Sequence, residues 1–100
     1  MSGAKPMISI GVPVYNGENY LAATLDSILA QSFSDFELIV SDNASTDGTE
    51  DVCRNYQARD TRIRYYRNPT NIGAAKNHNQ VFVRWSPGLR QTVKTLVTVR

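Results

Sequence analysis

Ser9-Ile10-Gly11-Val12-Pro13-Val14-Tyr15-Asn16 and Leu38-Ile39-Val40-Ser41-Asp42-Asn43 decide the fold of this 100-residue chain. Each is an apolar run that ends in polar, turn-forming residues, and each precedes a stretch with helical spacing. Two strands that deliver polar tips to one edge, with helices as crossovers, predict an α/β fold with an open, mostly parallel sheet and flanking helices. In such sheets ligands bind beyond the carboxyl ends of the strands. Tyr15 and Asp42 are therefore expected at one ligand-binding edge.

The rest of the chain fits that plan. Residues 1–6 read as a loose leader without the apolar h-region of a signal peptide. The first strand is expected over residues 7–14. Pro13 cannot donate a ladder hydrogen bond, so regular pairing should end near it. Leu21, Leu25, Ile28 and Leu29 recur at helical spacing and predict a helix over residues 18–31, with Asn16 as its cap. The second strand covers residues 36–41. Asp47, with Glu50 three positions later, resembles a capping box for a helix over residues 48–58. Cys53 falls on that helix's apolar stripe and reads as a small core residue. Alternation over residues 62–67 predicts a third strand, residues 72–83 a third helix, and residues 91–99 a last strand.

Apolar residues make up 41% of the chain and charged residues 20%, which indicates a globular domain rather than a disordered one. The sequence contains no apolar run of about 18 residues, so no membrane span is expected. A single cysteine cannot form an internal disulfide, which fits the cytoplasm, with a peripheral membrane location open for a longer protein. All nine acidic residues lie between Glu18 and Asp60, whereas residues 61–100 hold eight Lys or Arg and no acid. The basic half can attract an anion such as a phosphate; the plainer reading is a solvated surface whose charges segregate. No nucleic-acid motif accompanies the charge, so no nucleic-acid partner is expected.

The first strand and turn do not form a Gly-x-Gly-x-x-Gly fingerprint, and no Gly-Lys-Ser/Thr phosphate loop follows. One Cys and one His give no zinc-like spacing. Three blocks do stand out. They are Ile8 to Asn16 followed by Glu18 to Leu21, then Phe36 to Thr49, and then Asn71-Ile72-Gly73-Ala74-Ala75-Lys76-Asn77. In that order and spacing they resemble family 2 glycosyltransferases. The resemblance covers roughly residues 7–82 and is specific because all three blocks occur together.

The resemblance implies the Rossmann-like N-terminal half of a GT-A fold, with residues 1–84 forming the half that binds a nucleotide-sugar donor, often a UDP-sugar. The acceptor would be a carbohydrate or a lipid-linked sugar. It places Pro13, Val14 and Tyr15 in the nucleoside pocket, gives Asp42 the base contact, and has residues 73–77, with Gly73 and Lys76, close over the nucleotide. The residue types suit these roles. A carboxylate accepts the imino N–H of uracil, which cytosine lacks. An aromatic ring offers a face to the base, and a lysine offers a point charge to a diphosphate. Plainer roles stay open: a loop cap for Asp42, core packing for Tyr15 and a solvated helix face for Lys76. Asp47 reads as a helix cap and His78 as a surface residue.

The same resemblance implies a divalent cation, magnesium or manganese, held by later carboxylates, and a later carboxylate acting as base on the acceptor. Nothing after Asp60 is acidic, so neither cation ligands nor a catalytic residue is assigned. The pattern departs after about Phe82. Residues 85–100 read as an off-pattern basic tail, which suggests a truncated or frameshifted reading frame or a foreign end; a divergent short homologue is the alternative. The fragment alone is expected to be inactive, and a non-catalytic nucleotide- or carbohydrate-binding module is the rival reading. An incomplete sheet would also leave an edge through which two copies can pair.

Overall fold

The computed structural model describes residues 8–31, 35–84 and 93–96. The order of elements is β1 Ile8–Val14, α1 Glu18–Leu29, β2 Phe36–Asp42, α2 Thr49–Arg59, β3 Ile63–Arg67, α3 Ala74–Arg84 and β4 Val93–Leu96. The strands form a sheet of order β3-β2-β1-β4, and every neighbouring pair is parallel. The expected α/β architecture is thus present. The expected last strand is seen over Val93–Leu96, where it pairs with β1 inside the chain; residues 91–92 and 97–99 lie outside the described residues.

Strand β2 is interior, and all seven of its residues are buried. A strand covered on both faces needs an unbroken apolar run, and Leu38-Ile39-Val40 supplies it. Alternation then sorts the faces. Leu38 and Val40 join Ile10, Val12 and Val14 in the main core, against Leu21, Leu25 and Ile28 of α1 and Cys53 and Tyr56 of α2. Ile39 faces the other way, onto Val81 of α3 and Tyr66. Fully burying one leucine of this set contributes roughly 1.5–3 kcal/mol.

As expected, pairing of β1 ends close to Pro13, though on the β2 side it runs one residue past it. The register continues through Pro13↔Ser41 to Val14↔Asp42. The backbone explains why. Ile8 N–H donates to Asp35 O at 3.3 Å, and Val14 O accepts Asn43 N–H at 2.9 Å, so even-numbered residues of β1 bond toward β2. Pro13 is odd-numbered and its missing donor points away from β2. On that side the described pairing with β4 already stops at Gly11↔Leu96.

Two caps differ from expectation. The N-cap of α1 is Gly17 rather than Asn16, with no side-chain cap bond. Glu50 does not complete a capping box; it pairs with Arg54 at 2.9 Å. The helix also stops at Leu29, short of Gln31. Among the described residues, no helix is long and apolar enough to cross a membrane.

Candidate functional site

The strand order reverses at β1: the chain steps outward through β2 and β3, and α3 carries it back to β4 on the other side. In open parallel sheets the crevice at such a point, beyond the carboxyl ends, is where ligands bind. Here a cavity of about 360 Å³ lies there, within the size range of small-molecule sites. The end of β1 forms one wall with Pro13, Val14 and Tyr15; Asn43, from the end of β2, and Asn71, Ala74, Asn77 and His78 form the rest. Tyr15 is 47% exposed, unusual for a large ring beside a core strand.

Asp42 sits at the tip of β2, beneath this cavity rather than on its surface, and is fully buried. Its Oδ1 accepts Ser45 Oγ–H at 2.6 Å and Ser45 N–H at 3.0 Å. Its Oδ2 accepts the Tyr65 hydroxyl at 2.5 Å and Arg67 Nη1 at 3.3 Å. A buried carboxylate needs such donors to offset its lost hydration. Burial and the bond to Asp42 together push the Tyr65 phenol well above its ordinary range. Gly73 and Lys76 are exposed beside the cavity and are not part of its wall. Gly73 has φ +90°, a conformation suited to glycine.

The floor of the cavity is an amide network of which sequence reasoning gave a ligand role only to Asn77, within residues 73–77. Asn77 Oδ1 accepts Ser41 Oγ–H at 2.8 Å and Asn68 Nδ2–H at 3.0 Å, and Asn77 Nδ2 donates to Ser41 O at 2.9 Å. Asn43 Oδ1 accepts Asn68 Nδ2–H at 3.1 Å and Ile72 N–H at 2.9 Å, while its Nδ2 donates to Asn71 Oδ1 at 2.9 Å. Asn71 Oδ1 also accepts Gly73 N–H at 2.8 Å. Side chains from β2 and from the turn after β3 thereby fix the backbone that leads into α3. One local signal pointed this way: Asn77 is four residues before buried Val81, hence on the inward face of α3. His78, read as a surface residue, is exposed and lines the cavity.

The loops after β1 and β2 are bonded to each other. Asn16 N–H donates to Ser45 Oγ at 2.8 Å, Gly17 N–H to Thr49 Oγ1 at 2.9 Å, and Glu18 N–H to Asp47 Oδ2 at 3.3 Å. In return Thr46 N–H donates to Asn16 Oδ1 at 2.8 Å and Gly48 N–H to Glu18 Oε1 at 2.7 Å. The N-cap of α2 is Gly48 rather than Asp47; Asp47, one residue earlier, accepts Thr49 N–H at 2.9 Å. Burial opposes the charge on Asp47, but its bonds from Thr49 and Glu18 outweigh it and hold the carboxyl below its ordinary range.

The cavity presents an aromatic face, small apolar edges and side-chain amides, which suit a flat heteroaromatic ring with polar edges. The fit to a cation is poor. Among the described residues no group of three or more His, Cys, Asp or Glu converges. Asp42 and Asp47 already accept hydrogen bonds from protein donors.

Relatives carry the comparison further. The chain is 38% identical over 84 residues to TuaG of Bacillus subtilis, a glycosyltransferase named for teichuronic acid biosynthesis; that match covers 84% of this chain and 33% of TuaG. It is 43% identical over 63 residues to the GalNAc(5)-diNAcBac-PP-undecaprenol beta-1,3-glucosyltransferase of Campylobacter jejuni, over 63% of this chain and 20% of that protein. The fold superposes on Staphylococcus aureus TarS 1-349 in complex with UDP-GlcNAc with a TM-score of 0.78 at 27% identity, over 95% of this chain and 26% of that one. It also superposes on the mannosyltransferase PcManGT of Pyrobaculum calidifontis, in complex with GDP-Man and Mn2+. There the TM-score is 0.73 at 25% identity, over 84% of this chain and 26% of the other. The chain thus spans a third or less of the length of these proteins. With the three sequence blocks gathered at one sheet edge, and the glycosyl transferase family 2 model matching residues 9–86, the chain belongs to that family.

Proposed function

We propose that this chain is the donor-binding half of a glycosyltransferase and takes the nucleotide of a UDP-sugar into the cavity at the carboxyl edge. The observation that carries the reading is the exposed ring of Tyr15 directly above the end of β1, beside Pro13 and Val14. The base stacks on Tyr15 and its polar edge meets the side-chain amides. Contact between Asp42 and the imino N–H requires one of that carboxylate's present donors to give way. Arg67, at 3.3 Å, makes the longest of the four contacts, and its side chain is a third exposed, so it is the donor that can withdraw toward solvent. Lys76, exposed on the first turn of α3, supplies a charge for the diphosphate, and the Gly73 turn lets the backbone approach it.

The acceptor, a carbohydrate or a lipid-linked sugar, belongs to a part of the enzyme beyond residues 1–84. Asp60 is the last acidic residue of the sequence. The chain alone therefore binds donor without transferring sugar. The same observation favours one rival, a nucleotide- or carbohydrate-binding module without catalysis. That rival predicts no transfer even when a complete acceptor half from a homologue is supplied. Among the described residues β3 and β4 end the sheet, and two copies can pair along either; scattering that shows a strict monomer at high concentration removes that option.

Calorimetry with UDP, with and without manganese, tests the reading. Binding that persists without metal is expected, and Asp42→Ala should weaken it by about 1–3 kcal/mol. Absence of UDP binding overturns the nucleotide assignment, and tight, strictly metal-dependent binding overturns the account of the missing cation ligands.

A further inference from the structure

Asn16 directly follows Tyr15 and stands in the left-handed region at φ 50°. A non-glycine residue keeps that conformation when its surroundings hold it, and asparagine tolerates it better than most. Both holding contacts come from the loop after β2. Ser45 Oγ accepts Asn16 N–H at 2.8 Å, and Asn16 Oδ1 accepts Thr46 N–H at 2.8 Å. The Ser45 hydroxyl directs its own proton to Asp42 Oδ1 at 2.6 Å. Ser45 and Asp42 are 4% and 0% exposed, so the bond between them is shielded from water, and the bond from Asn16 N–H to Ser45 is part-buried. A hydroxyl that donates to a carboxylate becomes a better acceptor for the next N–H, because bonds in a chain polarise one another. The chain therefore runs from the Asp42 carboxylate through the Ser45 hydroxyl to the amide that follows Tyr15.

The geometry points to Ser45 as a positioning residue that couples Asp42 to Tyr15, so that the carboxylate beneath the cavity sets the placement of the ring above it. The ligand side of this inference rests on the nucleotide reading of the cavity. The two oxygens of Asp42 divide the work. Oδ1 is bound twice by Ser45 and holds the loop. Oδ2, bound by Tyr65 and Arg67, is the oxygen open to exchange with a ligand. Tyr15 is then not placed independently of Asp42, and breaking the link at Oδ1 displaces the ring while Oδ2 keeps its own partners.

The test compares Ser45→Ala, Ser45→Thr, Tyr15→Ala and the Ser45→Ala/Tyr15→Ala pair, first without ligand and then with UDP. In the ligand-free protein, Ser45→Ala should speed hydrogen exchange at the Asn16 amide by about tenfold or more, and Ser45→Thr, which keeps the hydroxyl, should restore it. UDP affinity should fall about tenfold in Ser45→Ala but less than about twofold when Tyr15 is already alanine, the non-additivity expected of coupled residues. Unchanged Asn16 exchange in Ser45→Ala overturns the link, as does a full tenfold loss that persists in the Tyr15→Ala background. Should UDP not bind the parent protein, the nucleotide reading fails, and the exchange measurement still decides the link. If Ser45→Ala does not fold, Asp42→Asn replaces it. Its neutral oxygen is a weaker acceptor for the Ser45 proton, so Asn16 exchange should again accelerate, and no acceleration overturns the link.

Discussion

Glu18, the first residue of α1, caps the start of α2: its Oε1 accepts the backbone N–H of Gly48 at 2.7 Å. Asp47 returns the favour, accepting Glu18 N–H at 3.3 Å. Each helix thus satisfies one of its orphan N–H groups with a carboxylate from the other helix's entrance. Both carboxylates also sit at the positive ends of helix dipoles. The two loops at the rim of the cavity are one unit as a result.

Removing that cap should cost about what other helix caps cost. Glu18→Ala is expected to lower the unfolding free energy by roughly 0.5–2 kcal/mol, read from urea titrations. Glu18→Gln, which keeps an acceptor oxygen in place, should recover part of the loss. A Glu18→Ala protein as stable as its parent would show that the contact contributes nothing.

Acid should weaken the fold through Asp47 and Asp60. Bonds from Thr49 and Glu18 hold Asp47 below its ordinary range against the opposing effect of burial, and the Arg62 guanidinium holds Asp60 down likewise. A carboxyl whose folded value lies below its unfolded value, about 4, stabilises the protein above that pH and loses its contribution as pH falls through the folded value. Stability should therefore stay level from about pH 7 to 5 and decline below about pH 4. Denaturant midpoints measured across that range check the slope, and Asp47→Asn together with Asp60→Asn should flatten it.

Asn77 tests the floor of the cavity. Asn77→Ala removes a partner from the Ser41 hydroxyl, the Ser41 carbonyl and the Asn68 amide, two of them on fully buried Ser41. Leaving buried polar groups unsatisfied costs about 1–3 kcal/mol. A loss in the upper half of that range is expected in thermal or urea melts. Its exposed neighbour Lys76 should tolerate alanine within about 0.5 kcal/mol.

The contrast between these residues shows what a sequence exposes. Leu21, Leu25 and Ile28 announce α1 because their spacing is local, and the apolar run Leu38-Ile39-Val40 announces an interior strand for the same reason. The family blocks carried Pro13, Val14 and Tyr15 to the cavity wall. Bonds such as Ser45 to Asn16 or Asn77 to Ser41 join residues about 30 or more positions apart and leave no periodic trace. Asn16 could be read as a helix cap only while the loop after β2 was out of view. His78 looked like a surface residue because its helix stretch is polar; its exposed face turns out to border the cavity.

Cys53 should be chemically silent in the folded protein. It is fully buried, and burial, reinforced by the nearby Asp42 charge, pushes its thiol up to about 12. The thiolate is the reactive form, so labelling by a thiol reagent at neutral pH should run about a thousandfold slower than in a free peptide. Labelling should appear in step with the urea unfolding curve. Rapid modification of the native protein would mean that the contact between α2 and the sheet opens readily.

Tyr15 separates a ligand contact from a packing contact most cleanly, because stability and binding should respond to it in opposite ways. A ring that is 47% exposed contributes little to the core, so Tyr15→Ala should leave the unfolding free energy within about 0.5 kcal/mol of the parent. Stacking of a base on an aromatic ring is worth about 1–3 kcal/mol by alanine substitution, so UDP affinity in the same variant should fall by about five- to a hundredfold. Tyr15→Phe keeps the ring face and should bind nearly as well as the parent, whereas Tyr15→Leu, apolar but not flat, should not. The reverse pattern, a destabilised protein with unchanged UDP affinity, would make Tyr15 a structural residue and move the base to another part of the edge.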